Sequence, residues 1–161
     1  MSDAAPYSMR RSEKAITDPE ELQAVIQSAR VCRLALVDNG TPYIVPMHFG
    51  IKGNALYFHC ANKGRKLDII KRNPAVCFEI ESDHQITNTG KPCNWSTRYA
   101  SVIGYGTASL VTDILQKTEA LAVIVAHYAP GTVYEFQPKK VGEVAVLKVD
   151  ITSMTGKKSV T

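Results

Sequence analysis

The chain has 161 residues, 45% hydrophobic and 21% charged, with 19 basic against 15 acidic side chains and a net charge of +4. That is one domain with enough apolar residues for a core. It excludes two large domains, a disordered chain and a collagen-like or disulfide-dense scaffold. The basic excess is milder than nucleic-acid-binding domains usually carry, and a local anionic ligand accounts for it equally well, so no nucleic-acid partner is expected.

The four cysteines, Cys32, Cys60, Cys77 and Cys93, show no C-x-x-C spacing, so no metal site is expected. Residues 1–14 read as an arm: they are charged, with no apolar stretch behind them to make a secretory signal. The longest apolar run, Ala120–Ala126, is far short of the about 20 residues that span a bilayer. Together these features predict a cytoplasmic protein with reduced thiols and no membrane association.

A domain is expected over 15–152. Asp18 followed by Pro19, Glu20 and Glu21 is a helix start, and Leu22, Val25, Ile26 and Ala29 fall on one face. Val31–Val37, the turn Asp38-Asn39-Gly40 and Thr41–Phe49 read as a hairpin whose second arm bends or lies at an edge near Pro46. Ala55–Cys60 is a strand. A short helix with Leu67, Ile69 and Ile70 follows and stops at Asn73-Pro74. Ala75–Ile80 is another strand, Ser82–Ser96 a polar loop, and Arg98–Val111 a long strand in which Gly104 and Gly106 signal a bulge or a close backbone approach. Thr112-Asp113 caps a helix running to about His127. Val144–Ile151 is the last strand, and 153–161 reads as a polar tail. The order predicts a mainly β, α+β fold: a six-stranded antiparallel barrel with about three flanking helices. Neither G-x-G-x-x-G nor G-x-x-x-x-G-K-[ST] occurs.

Three segments carry possible chemistry. In Phe58–Leu67, the cations Lys63, Arg65 and Lys66 crowd a strand-to-helix junction, where a helix start favours an anion; a solvated basic turn is the alternative. In Pro42–Phe49, the prolines leave carbonyls free to meet a flat ligand, or simply mark an edge strand. In Asn94–Gly106, Trp95 lies among Asn, Ser, Thr and Arg, a ring-stacking wall or a satellite core.

Together these segments resemble the FMN-binding split-barrel superfamily of the pyridoxamine 5′-phosphate oxidases, in particular its Nim-type, nitroimidazole-resistance-like branch. The resemblance rests on Met9-Arg10-Arg11, Pro42-Tyr43-x-x-Pro46, Phe58-His59-x-Ala61-x-x-Gly64-x-Lys66 and Ser101-Val102-Ile103-x-Tyr105-Gly106. It implies a Greek-key split barrel that binds FMN at a homodimer interface. Arg65 and Lys66 would hold the flavin phosphate, Val45, Pro46 and Met47 would run past the ring, and His48, His59, Cys60, Ala61, Trp95, Ser101 and Val102 would complete the site. His59 is the catalytic candidate, because an imidazole titrating near neutrality can give a proton or hydrogen bond to a substrate. The implied activity is electron transfer from a reduced nicotinamide, NAD(P)H, or a protein donor to a small-molecule electron acceptor of the nitroaromatic kind. Alternatives are a non-catalytic flavin-binding or sensing module, or a split barrel using deazaflavin or haem. Glu143–Thr161 carries no counterpart of the oxidases' substrate-gripping residues, so their substrate does not carry over.

Overall fold

The computed structural model describes residues 9–88 and 90–159; residues 1–8 of the expected arm and 160–161 of the expected tail lie outside them. A 3-10 turn at Ser12–Lys14 precedes the two-residue β1 (Ala15–Ile16), and α1 spans Pro19–Ser28. Asp18 caps α1 by accepting the Glu20 N–H at 2.9 Å, and Pro19 takes the first position, where a missing N–H costs nothing. The predicted apolar face buries Val25, Ile26 and Ala29 in the core.

β2 (Cys32–Asp38) and β3 (Thr41–Met47) form the hairpin, turned by Asn39 and Gly40, both at positive φ. At His48 the ladder stops. The same run continues as β4 (Phe49–Lys52), which pairs with β5 (Ala55–Ala61) instead of β2. The bend expected near Pro46 is therefore a change of partner. β3 is an end of the sheet, where Pro42 and Pro46 remove no ladder donor that another strand needs.

After β5, α2 (Arg65–Arg72) carries the chain back so that β6 (Ala75–Thr87) lies beside β2, a Greek-key return. β7 (Ser96–Val111), α3 (Ile114–Tyr128), the short α4 (Pro138–Gly142) and β8 (Val144–Ser159) follow. Every pairing is antiparallel, and the order is β3-β2-β6-β7-β8-β5-β4 with β1 added at β8. This is a split barrel: the hydrogen-bonded sheet does not close, and its two ends are joined covalently through His48.

Three expectations change. Among the described residues there are eight strands, not six, because β4 separates from β3 at His48 and the two-residue β1 is too short to leave a pattern. The polar loop expected over Ser82–Ser96 is strand as far as Thr87, with a register shift between Ser82 and Gln85. This end of the β6–β7 ribbon is largely exposed, so it shows no apolar alternation. The tail expected after Thr152 is strand to Ser159, polar because Lys157 and Lys158 stay half-exposed while Gly156 and Ser159 are buried. Gly104 and Gly106 do mark a close approach and a bulge. A Cβ on Gly104 would clash with the edge of the Phe78 ring at Cζ, one on Gly106 would lie 2.5 Å from the Asp150 carbonyl oxygen, and the β7–β8 register slips at Tyr105/Gly106.

Candidate functional site

The β3–β4 switch opens a recess of about 320 Å³ on the side facing β5 and α2. Val45, Pro46, Met47 and His48 form one wall, and His59, Cys60 and Lys66 the other. Residues separated in sequence by a hairpin thus meet because β3 ends where β5 runs out into α2. His59 is exposed, whereas Met47 is buried. Burial pushes the Cys60 thiol upward against the opposing pull of Lys66, so it stays protonated at neutral pH.

At the end of the recess α2 begins without a side-chain cap. Gly64 stands at φ 140° with open space around its Cα, so no side chain shields the first-turn N–H groups beside Lys66. Lys66 gives this helix start a positive charge that suits an anion, with the Leu67 and Asp68 N–H groups turned to the Gly64 carbonyl at 3.0 and 3.4 Å.

Arg65, expected to share that task, is committed elsewhere. Its Nε donates to Asp38 Oδ2 at 3.3 Å and its guanidinium lies 4.6 Å from the Tyr43 ring centroid, while Arg72 holds Asp38 Oδ1 at 2.8 Å. The pair clips α2 to the β2–β3 turn. Arg72 first, and Arg65 after it, hold the Asp38 carboxyl below its ordinary range. The stability this adds is fully present above the unfolded Asp value of about 3.9 and is lost as pH falls through the lower folded value. Melting curves of wild type and Asp38→Asn, separated at neutral pH, should therefore converge on acidification towards pH 3.

A brace from α3 steadies the switch and has no counterpart in the sequence reading. The Tyr128 hydroxyl accepts the Phe49 N–H at 3.0 Å and donates to the Arg30 carbonyl at 2.9 Å, and the ring meets His48 edge-on at 5.1 Å. His127, where the predicted helix was expected to end, packs 4.4 Å from the Phe49 ring. Its Nε2 lies 2.8 Å from the Ala29 carbonyl, which can only accept, so Nε2–H donates to it, and among the described residues the buried Nδ1 has no hydrogen-bond partner. An edge or bend near Pro46 was legible; the Tyr128 hydroxyl that braces it lies 79 residues from Phe49 and 98 from Arg30.

The remaining predicted contacts are not in the recess. Ala61 ends β5 opposite Val144, and Trp95 is 51% exposed beyond a 3-10 turn at Pro92–Asn94. Val102 is fully buried in the core, paired with Ile80 and Gly156. Ser101 and Val102 lie three strands from Met47, a separation of about 14 Å at the usual inter-strand spacing. No described helix is long and apolar enough to cross a membrane.

A split barrel with a cationic, uncapped helix start beside its bent strand defines a class, and comparison with known proteins defines the family. Residues 18–158 match the family described as pyridoxamine 5′-phosphate oxidase, and the chain belongs to it. A candidate 5-nitroimidazole antibiotic resistance protein from Bacteroides thetaiotaomicron is 31% identical, with 89% of this chain and 86% of that one covered and a TM-score of 0.80. The FAD- and haem-binding protein of Mycobacterium smegmatis shares the fold at 20% identity, covering 92% of this chain and 74% of that one, with a TM-score of 0.81. An uncharacterized Rhizobium meliloti protein is 38% identical over 61 residues, or 38% of this chain and 40% of its own length.

Proposed function

We propose that this protein is an FMN-dependent oxidoreductase that reduces a small acceptor of the nitroaromatic class and works as a homodimer. The observation that carries the proposal is the recess itself, where Val45–His48, His59, Cys60 and Lys66 converge on the open start of α2. Lys66 and the first-turn amides would hold the phosphate, and the Val45–Met47 wall would lie along the ring. Flavin, when bound, supplies the redox chemistry. The chain's part is to orient it, and exposed His59 at the rim is placed to give a proton or hydrogen bond to the acceptor. Likeness to proteins named for nitroimidazole resistance and for FAD binding supports a flavin; a single phosphate cradle favours the mononucleotide.

A second copy is supported by the outer face of β3-β2-β6-β7, which no described helix covers. Ile44, Val37 and Ile103 are exposed there beside Ala35, Cys77 and Tyr105. Ser101 and Trp95, remote from the recess of their own chain, would reach that of a partner.

The test is the absorbance spectrum and mass of the bound chromophore, followed by FMN titration of Lys66→Ala. Loss of one charge-assisted contact should weaken FMN about 10- to 100-fold with an unchanged melting temperature. A colourless protein that takes up no FMN would sink the proposal; deazaflavin or haem in the extract would replace the cofactor.

A further inference from the structure

We propose a second binding site, for a small zwitterion carrying a carboxylate and an ammonium group, in the hollow between α3 and the β8-β5-β4 end of the sheet. It goes beyond the flavin reading and does not depend on it. The hollow, of about 300 Å³, shares no lining residue with the flavin recess. It is roofed by α3, which packs on β4 and β5, and so lies apart from the helix-free face offered to a second copy.

The sheet builds one wall. Gly50 stands opposite Tyr57 and Tyr57 opposite Lys148, so Lys52, Tyr57 and Lys148 rise from one face of three adjacent strands. The helix builds the other. Gln116, Ala120 and Val123 succeed one another at four- and three-residue steps on the side of α3 turned to the sheet, with Glu119 beside them. At Val123 the helix backbone comes down on Gly50, which has no side chain to hold it off. Nearer its start the small Ala120 fills little of the gap. The stripe that an amphipathic helix normally keeps apolar carries Gln116 there instead.

The polar groups around the hollow are largely unspent. Among the described residues neither Lys52 nor Glu119 is in an ion pair, and neither the Tyr57 hydroxyl nor the Gln116 side chain is in a hydrogen bond. Lys148 Nζ is held by Asp150 Oδ1 at 2.6 Å, which leaves its ammonium two further N–H donors. The two lysines are balanced by Asp150 and Glu119, so the site rewards separated charges in a ligand rather than a net charge. A ligand carboxylate would meet Lys52, Lys148 and the Tyr57 hydroxyl, and its ammonium would meet Glu119 and the Gln116 side-chain carbonyl. Half-buried Val111 and Val123 offer apolar surface to the carbons between them.

Titration of the full-length protein at low ionic strength, followed by its amide NMR shifts, tests the site. The probes are glycine, β-alanine, γ-aminobutyrate and ε-aminocaproate, with butyrate and butylamine as single-charge controls. One zwitterion of the series should bind saturably, at one per chain, at least about tenfold tighter than either control. The shifts should centre on Lys52, Tyr57, Glu119 and Lys148, a wild-type result that keeps the site testable if a variant folds poorly. Glu119→Gln should bring that zwitterion down to the affinity of butyrate, and Lys52→Gln should weaken both about tenfold. Lys139→Gln, on α4, and Lys66→Ala, in the flavin recess, should leave both at the wild-type value. No saturable binding of any zwitterion, butyrate bound as tightly as the best of them, or shifts centred on His59 and Lys66 would each overturn the proposal. Zwitterion binding retained by a protein that takes up no FMN would uphold it while the flavin reading fell.

Discussion

Gly50→Ala is expected to cost about 3 kcal/mol of folding stability, the upper end for overpacking. A Cβ at Gly50 would lie 2.6 Å from the Val123 carbonyl oxygen, 2.7 Å from its carbon and 2.8 Å from the Ile124 nitrogen. All three are backbone atoms inside α3, so no side chain can turn aside and the helix must shift as a body. The shift reaches the switch at His48, because the same helix carries His127 and Tyr128, which hold Ala29, Arg30 and Phe49. Urea unfolding should show a lower midpoint at an unchanged slope. Gly53→Ala is the control: its φ of 58° strains an alanine, but nothing lies within 4 Å, so about 1 kcal/mol is expected. Equal losses at the two positions would refute the close-packing explanation.

Phe78→Ala should cost about 4 kcal/mol, since Phe78 is 1% exposed and the core around it closes only in part over the space left. Its partner across the ladder is Gly104, and the ring occupies the place of the side chain that Gly104 lacks. Gly104→Ala alone should therefore cost about 2 kcal/mol by forcing the ring off its rotamer. In the double variant the new methyl group enters space the ring has vacated, and the loss should fall short of the sum by about 1 kcal/mol or more. Urea unfolding of the four proteins closes the cycle. Strict additivity would mean that ring and glycine do not share that space.

What could be read from the sequence was what is decided locally. Asp18 with Pro19, and Asp113 accepting the Gln116 N–H at 2.9 Å, announce α1 and α3 because a cap and its donor lie within three residues. The proline pair announced the bend of the Thr41–Phe49 arm. Motif resemblance then brought His48, His59 and Lys66 together, and the structure places all three on one recess. Where the sequence fell short, the deciding partner was distant. Arg65 turns from the recess towards Asp38, 27 residues away, and Lys14 finds Ser159 across 145 residues. Strand ends were misjudged where one face meets solvent or a neighbouring strand supplies the hydrogen bonds, since neither leaves an apolar period in the chain.

The change of partner at His48 also governs how the protein comes apart. β3 completes one end of the sheet and β4 the other, yet a single residue separates them. Loosening either ladder pulls on the residue that anchors its counterpart, and Tyr128 bridges both sides through Phe49 and Arg30. The two ends of the sheet should therefore open as one cooperative unit, and hydrogen exchange should show the amides of β3 and β4 sharing one opening rather than fraying independently.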